Sequence, residues 1–282
     1  MKTARTKAEL RDLLEVPRRE GARIGLVPTM GYLHEGHLSL LRAARGECDL
    51  VVMSLFVNPT QFGTGEDLDR YPRDEGRDAG LAEREGVDLI FAPSAADVYP
   101  DGYATYVDVH GLTEVLDGDP AQRGPEHFRG VTTIVAKLLN IVQPDAVYFG
   151  QKDAQQGIVI RRMVSDLDFP VRIEMLPTVR EPDGLALSSR NAYLGPEDRE
   201  RAAALSRALR TVRDSAAGES LATALAAARK ELLDAGIEPE YLEARDASDL
   251  TPVAELNGRP VLVAVAARIG HARLIDNVLI EP

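Results

Sequence analysis

The sequence has few of the features that identify a secreted, membrane or nucleic-acid-binding protein. Cys48 is the only cysteine among 282 residues, which excludes an internal disulfide framework and fits a reducing compartment. Residues 1–14 alternate charged and apolar side chains, so we expect no signal peptide, no membrane span and a cytoplasmic protein. The formal net charge of −12 argues against a broad nucleic-acid surface, because such surfaces need clustered lysine and arginine. Any anion site must therefore be local.

The chain does contain enough apolar residues for a packed core. They make up 44% of the sequence, which suffices for one large domain or two smaller ones. Helical segments alternate with buried-type strands predicted at 24–27, 49–57, 87–92, 146–149 and 171–176. This alternation predicts an α/β fold with a Rossmann-like parallel sheet and helices on both faces.

The composition changes after residues 182–184, where a Pro-Asp-Gly turn ends the alternating series. Two helices, from residue 195 and over 219–235, are then predicted to precede strands near 241–244, 261–267 and 274–280. We therefore predict two domains: residues 1–182 form the Rossmann-like domain, and residues 183–282 form a smaller α+β domain that serves as a lid.

Residues 28–37, Pro-Thr-Met-Gly-Tyr-Leu-His-Glu-Gly-His, follow the first long strand and lead into a helix expected to begin near His37. Unpaired N–H groups at a helix start suit a phosphate, and His34 and His37 can face the same anion as hydrogen-bond donors or as cations. Two other interpretations remain open. One is a zinc site, although its histidines are usually four apart and no glycine intervenes. The other is a capped loop with ordinary polar histidines.

Three further segments combine turns with polar side chains. In residues 58–63, Gln61 suits a hydroxylated substrate, unless Asn58-Pro59 simply ends a strand. In residues 150–156, Lys152 is placed to meet phosphate charge, Asp153 also fits an N-cap, and Gln156 faces either the same cavity or solvent. Residues 187–191, Leu-Ser-Ser-Arg-Asn, suggest a phosphate clamp or mobile lid, or a capped linker.

In this order, the segments closely resemble the pantothenate synthetase family, the pantoate beta-alanine ligases of the HIGH-type nucleotidyltransferase superfamily. The resemblance spans nearly the whole chain. The stretches that carry it are residues 28–37, 56–63, 69–73, 127–131, 149–153 and 187–191. It implies that ATP and (R)-pantoate form a pantoyl adenylate with loss of pyrophosphate, and that beta-alanine then gives pantothenate and AMP.

The resemblance also implies the roles of individual residues. His34, His37, Lys152 and Arg190 would be catalytic. The ATP site would comprise Met30, Gly31, Tyr32, Leu33, His34, Glu35, Gly36, His37, Gly150, Gln151, Lys152, Asp153, Val179, Leu187, Ser188, Ser189 and Arg190. Pantoate would contact Gln61, Gln156, Tyr71 and Val135, and beta-alanine would contact Gln61. Mg²⁺ would be held by the ATP phosphates without direct protein ligands, and a homodimer is expected.

Two positions depart from the family pattern. Gln151 stands where the family commonly has Glu, and Ala154 where it often has an aromatic residue, so we expect altered packing or local charge and not lost activity. Two rival functions remain: a nucleotidyltransferase that stops at the nucleotidyl product, and a sensor that binds ATP without turnover. The absence of a G-x-S-x-G nucleophile motif fits a reaction that needs no nucleophilic side chain.

Overall fold

The first part of the chain alternates strands and helices. The computed structural model describes residues 1–63, 65–216 and 218–281. Up to residue 176 its elements are β1 (Lys2–Ala4), α1 (Lys7–Arg19), β2 (Ile24–Thr29), α2 (Glu35–Glu47), β3 (Leu50–Leu55), α3 (Glu75–Arg84), β4 (Leu89–Phe91), α4 (Ala95–Val98), α5 (Pro125–Val142), β5 (Ala146–Gly150), α6 (Ala154–Asp166) and β6 (Arg172–Leu176). Short 3-10 turns lie at Pro59–Gln61, Leu116–Gly118, Gln151–Asp153 and Ser189–Tyr193.

Within the described residues, these strands form a six-stranded sheet in the order β1-β4-β3-β2-β5-β6. Every strand pair in it is parallel, which confirms the predicted sheet. The chain runs from β2 through β3 to β4 in one direction and then returns to place β5 on the other side of β2. The carboxyl ends of β2 and β5 therefore flank the switch point, where open α/β sheets bind ligands.

Helices cover both faces of the sheet, as predicted. Leu26 and Val52 point into an apolar cluster formed with α1, α5 and α6. Val27 and Met53, their neighbours along β2 and β3, point into a cluster formed with α2 and α3. This division follows from the alternation of side chains along a strand, and it explains why these strands are apolar throughout.

The predicted element boundaries needed several corrections. The capping box of Thr6 and Glu9 does start α1. Helix α2, however, begins at Glu35, two residues before the expected start at His37. The reason is that the imidazole of His34 caps the helix. The short elements β1 and α4 were not predicted, since three or four residues carry too little periodicity.

The C-terminal part contains α7 (Pro196–Ser215), α8 (Leu221–Asp234), β7 (Pro239–Asp246), β8 (Val261–Ile269) and β9 (Ala272–Ile280). In the described residues, the strands form an antiparallel sheet in the order β7-β8-β9, so the smaller α+β unit is confirmed. Its apolar cluster begins at Leu185 and is separate from those of the large sheet. Tyr241 and Leu262 instead pack into the cluster of α5, which joins the two parts. The boundary at residue 182 stays a prediction.

None of the helices in the described ranges combines the length and apolarity needed to cross a lipid bilayer.

Candidate active site

The loop that follows β2 is fixed by a buried carboxylate of α3. Asp78 in α3 accepts hydrogen bonds from the backbone N–H groups of Tyr32 at 2.6 Å and Leu33 at 2.8 Å. Gly31 has a φ of +86°, and a Cβ atom there would lie 2.8 Å from Leu55 Cδ1. A glycine is therefore required for this turn, which carries the chain into α2.

The imidazoles of His34 and His37 lie against each other, with ring centroids 4.1 Å apart. His34 Nδ1 accepts from the backbone N–H of Gly36 at 3.2 Å, and His37 Nδ1 accepts from that of His34 at 3.3 Å. Each neutral ring must then carry its proton on Nε2. A Cβ atom on Gly36 would lie 2.9 Å from His34 Cε1, so the glycine makes room for this arrangement.

Both histidines are neutral at physiological pH. Burial lowers the pKa of His34 to about 4, and the positive charge of Lys152 lowers it too. Burial also lowers the pKa of His37 well below its ordinary value, with further contributions from His34 and Lys152. The sequence left open whether these side chains act as donors or as cations, and burial makes them neutral N–H donors.

Lys152 lies in the 3-10 turn that follows β5, across the switch point from the histidines. Its Nζ atom is 3.4 Å from Asp153 Oδ1. Asp153 stands at the N-cap position of α6, but among the described residues its side chain makes no capping hydrogen bond. The lysine is therefore next to a carboxylate at the start of the helix.

A cavity of about 780 Å³ opens between the carboxyl ends of the strands and the C-terminal part. It brings together predicted residues from every segment singled out in the sequence. Those that line it are Met30, His34, Gly36, His37, Gln61, Tyr71, Val135, Gly150, Lys152, Asp153, Gln156, Val179, Leu187, Ser188, Ser189 and Arg190.

Five other predicted ATP contacts, all in the described part of the chain, do not line this cavity: Gly31, Tyr32, Leu33, Glu35 and Gln151. Leu33 is buried in the core between α2 and α3. Glu35 is exposed and pairs with Arg42 at 2.5 Å. Gln151 Nε2 lies 3.4 Å from Asn277 Oδ1. The side chains of these last three support the loop and the turn, and their contact with a nucleotide stays a prediction.

Gln61 is held by Asn58, to which the sequence assigned only a turn. Asn58 Nδ2 donates to Gln61 Oε1 at 3.1 Å and to the carbonyl of Gly130 in α5, also at 3.1 Å. Gln61 Nε2 lies 3.2 Å from Met30 Sδ. The orientation of the Gln61 amide is therefore set by neighbours on both sides.

A second network that the sequence did not reveal fixes the backbone of Gln61. Arg123 forms two hydrogen bonds with Glu66, at 2.9 and 2.7 Å, and donates to His127 Nε2 at 2.9 Å. His127 Nδ1 must then carry the proton, which it donates to the Gln61 carbonyl at 2.7 Å. Residues 127–131 contributed to the resemblance, but nothing in the sequence showed that His127 would meet Gln61.

Arg190 is paired with a carboxylate from the other side of the cavity. Its Nε atom donates to Asp67 Oδ2 at 3.0 Å and its Nη2 atom to Oδ1 at 2.9 Å. Ser188 caps the turn by accepting from the Arg190 N–H at 3.2 Å, so the capped-linker interpretation describes this segment in part. The turn nevertheless lines the cavity, and Ser189 Oγ reaches the Tyr32 carbonyl at 3.4 Å.

The far wall of the cavity is a buried junction between the two parts of the chain. Asp117 Oδ1 accepts from the Tyr241 hydroxyl at 2.7 Å and from Arg273 Nη2 at 2.9 Å. Burial alone would raise the pKa of Asp117, but Arg273 and Tyr241 lower it. No sequence motif predicted this junction, because its members lie far apart in the chain.

The described ranges contain no group of three or more His, Cys, Asp or Glu side chains suited to a metal ion. The Nδ1 atoms of His34 and His37 already accept hydrogen bonds from backbone N–H groups of the loop, so they are not available as metal ligands. The zinc interpretation therefore has no support in the geometry.

A doubly wound sheet with imidazole N–H groups and a lysine at its switch point defines an α/β protein whose cavity is chemically suited to an anion. The chain belongs to the pantoate-beta-alanine ligase family, whose sequence profile it matches over residues 2–279. This confirms the resemblance and the assignment to the carbon-nitrogen ligases.

Known members of the family agree in sequence and in structure. The pantothenate synthetase of Moorella thermoacetica is 56% identical over 100% of this chain and 99% of its own length. The crystal structure of pantothenate synthetase from Thermus thermophilus is 50% identical, covers 100% of both chains and has a TM-score of 0.93. The pantoate-beta-alanine ligase of Francisella tularensis, complexed with beta-gamma ATP and beta-alanine, is 34% identical, covers 99% of this chain and 97% of its own, and has a TM-score of 0.83.

Proposed function

We propose that the cavity condenses (R)-pantoate with beta-alanine at the expense of ATP, through an enzyme-bound pantoyl adenylate. The observation that carries this proposal is the convergence of His34, His37 and Lys152 at the switch point, in the same cavity as Gln61 and Gln156. N–H groups suited to a triphosphate and amides suited to a small hydroxy acid therefore line one cavity.

The proposed reaction has two steps. A pantoate carboxylate oxygen attacks the α-phosphorus of ATP, and the bond from that phosphorus to the pyrophosphate oxygen breaks. The beta-alanine amine then attacks the acyl carbon, the bond to the AMP oxygen breaks, and the amine proton is lost to solvent. Since both attacking atoms belong to substrates, the protein needs only to position them and to stabilise charge.

We assign the charge stabilisation to His34, His37, Lys152 and Arg190. In-line attack places additional negative charge on the phosphate oxygens, and fixed N–H donors and cations lower that barrier. Removing one such donor typically costs on the order of 3 kcal/mol, or about a hundredfold in rate. The other predicted contacts around residues 30–37, 150–153, 179 and 187–190 would bind the nucleotide.

We assign pantoate binding to Gln61 and Gln156, with Tyr71 and Val135 beside them. The amides can bind the hydroxyl and carboxylate groups, and Val135 gives an apolar surface for the methyl groups. Asn58 and His127 support this role because they fix the side chain and the carbonyl of Gln61. Beta-alanine would approach next to Gln61.

Mg²⁺ would arrive on the ATP phosphates, where it neutralises charge. The cavity fits an ion carried in this way. Glu66 and Asp67 line it, but both carboxylates are already paired with arginines, namely Arg123 and Arg190. Phosphate oxygens are therefore the better ligands for the ion.

Release of AMP tests the proposal. AMP should form only when ATP, Mg²⁺, pantoate and beta-alanine are all present, while ATP, Mg²⁺ and pantoate without beta-alanine should support exchange of labelled pyrophosphate into ATP. Exchange without beta-alanine-dependent AMP release would indicate the nucleotidyltransferase instead. Nucleotide binding without exchange or AMP release would indicate the sensor.

We also propose that residues 183–282 act as a lid. Ser188 and Arg190 line the cavity together with residues of the C-terminal sheet, so the lid would contribute part of the site. Limited proteolysis measures closure of the lid through the rate at which the connecting segment is cleaved. ATP with pantoate should slow cleavage between residues 177 and 195 severalfold, and equal cleavage rates would contradict the proposal.

We propose a homodimer in the cytoplasm. The exposed Tyr106 ring lies 5.5 Å from that of Tyr103, and Lys137 lies 4.3 Å above Tyr103, so an aromatic surface is available for a second copy. Aromatic residues are enriched in such contacts. Sedimentation velocity should give a dimer that Tyr106→Glu weakens, and a monomeric parent protein would contradict the proposed dimer.

The single buried thiol, Cys48, fits a reducing compartment such as the cytoplasm, and cell fractionation tests this location.

A further inference from the structure

Asn277 on β9 reaches from the C-terminal part to the turn that carries Lys152. Its Nδ2 atom donates to the carbonyl of Gln151 at 2.9 Å and to the carbonyl of Lys152 at 2.8 Å. The residue is 5% exposed. Both amide hydrogens are therefore used on consecutive carbonyls of the turn. The opposite orientation of the amide would place an oxygen against these two carbonyl oxygens.

The preceding residue ties the same strand to residues 177–188, the linker between β6 and the Ser189–Tyr193 turn. Asp276 is buried and accepts two hydrogen bonds from Arg180, at 2.6 and 2.9 Å. Its Oδ1 also accepts from the Asn277 backbone N–H at 2.7 Å. Neighbouring side chains of β9 thus hold both the linker and the turn, so Asn277 cannot shift without disturbing this pair.

Within the described residues, the Lys152 ammonium group has one polar partner, Asp153. Its ammonium group contacts Asp153 at 3.4 Å, and a lysine side chain has four rotatable bonds. Its reach toward a phosphate therefore depends on where the backbone of the turn lies. The two Asn277 hydrogen bonds hold that backbone, and they come from the C-terminal part of the chain.

We propose that Asn277 is a positioning residue for adenylation, which holds the 151–153 turn so that Lys152 meets the reacting phosphate. This inference rests on the proposed role of Lys152. It makes the position of that lysine depend on contact between the C-terminal part and the large sheet. Displacing the C-terminal part would break both hydrogen bonds and release the turn.

The test measures pantoate-dependent pyrophosphate exchange in Asn277→Ala and Asn277→Leu. We expect kcat to fall by about tenfold or more while KM for pantoate stays within about twofold, because the Gln61 wall is untouched. Asn277→Leu keeps a branched side chain without adding a charge but loses both donors, and it serves if Asn277→Ala does not fold. A kcat within twofold of the parent would overturn the proposal.

A double-mutant cycle separates positioning from general loosening. If Asn277 acts through Lys152, adding Asn277→Ala or Asn277→Leu to Lys152→Ala should change the remaining exchange less than twofold. A further tenfold loss would show an independent effect and overturn the proposal. Val278→Ala is the matched control, since it removes apolar contact from the same strand without touching the turn. It should leave the exchange rate nearly unchanged both in the parent and in Lys152→Ala.

The parent protein distinguishes failure of this inference from failure of the proposed function. Absence of pantoate-dependent exchange in the parent would remove the proposed function. Normal exchange in both the parent and the Asn277 variants would remove only the positioning role.

Discussion

Arg190 and Asp67 form an ion pair across the cavity, with hydrogen bonds of 3.0 and 2.9 Å. Burial alone would raise the pKa of Asp67, but the Arg190 guanidinium lowers it, so the carboxylate is charged at neutral pH. Under the proposed role of Arg190, a triphosphate would compete with Asp67 for the guanidinium. The sequence suggested a phosphate clamp at Arg190 but not the carboxylate that occupies it.

Asp67→Asn should lower KM for ATP by about fivefold, since it removes a competing charge worth about 1 kcal/mol in a partly exposed pair. Initial rates at varied ATP and saturating pantoate measure the change. Asp69→Asn, an equal change of charge at an exposed position of the same loop, should leave KM nearly unaltered. A raised KM in Asp67→Asn would mean that Asp67 orients Arg190 for ATP and does not compete with it.

Lys152→Ala should keep the fold but slow adenylation by about a hundredfold, because a cation that stabilises phosphate charge is lost. Pyrophosphate exchange measures the rate, and circular dichroism checks the fold. Lys230→Ala removes an exposed lysine from α8 and should exchange normally. Near-normal exchange in a folded Lys152→Ala protein would exclude the catalytic role.

Stability should fall as the pH drops from about 6.5 to about 4.5, partly through His127. Burial and the Arg123 charge lower the pKa of His127 to about 4. The unfolded chain, with a histidine pKa of about 6.5, binds a proton that the folded chain does not, which costs up to about 1.4 kcal/mol per pH unit. Urea unfolding at several pH values measures this slope.

His127→Gln should reduce the slope of unfolding free energy against pH by up to the contribution of one bound proton, about 1.4 kcal/mol per pH unit. This holds whatever the effect of the substitution on stability at neutral pH. His110→Gln, which removes a histidine whose side chain is 90% exposed, is the matched control. Equal slopes in the two variants would show that His127 is protonated in the folded protein.

Gly130→Ala should destabilise the protein by about 2 kcal/mol, the usual cost of overpacking, although alanine favours helices. A Cβ atom at this position of α5 would lie 2.6 Å from Gln61 Cα and would also meet the Thr60 carbonyl. Because the 59–61 turn must move, KM for pantoate should also rise. Thermal unfolding and exchange kinetics measure the two effects.

Gly46→Ala is the matched control in α2. A Cβ atom there has open space around it, so this variant should gain about 0.5 to 1 kcal/mol and keep its KM. If Gly130→Ala were as stable as the parent with an unchanged KM for pantoate, α5 would not set the position of Gln61.

Much of the fold could be predicted from the sequence because it follows from local patterns. The apolar runs of β2, β3 and β5 are typical of strands covered on both faces. The helical spacing of apolar residues in α5 likewise predicts a helix. The capping box at Thr6 also gave the start of α1. The start of α2 was wrong by two residues, because a histidine seldom serves as an N-cap.

The candidate site was predictable in part. Its motifs lie at strand ends, where parallel sheets collect functional loops, and the resemblance gave their order. The supports of these residues were not predictable. Asp78, Asn58, His127 and Asn277 all act on backbone or side chains far from them in sequence, and single polar residues carry no pattern.

The sequence by itself determined the alternating α/β architecture, the acidic surface charge and the segments that carry the chemistry, since these depend on residue types and short spacings. Only the tertiary structure decided the Nε2 tautomers of His34 and His37, the pairing of Arg190 with Asp67, and the hold of Asn277 on the Lys152 turn. The physical reason is that hydrogen bonds and desolvation depend on which groups are neighbours in space. Strand order and packing, and not distance along the chain, set those neighbours.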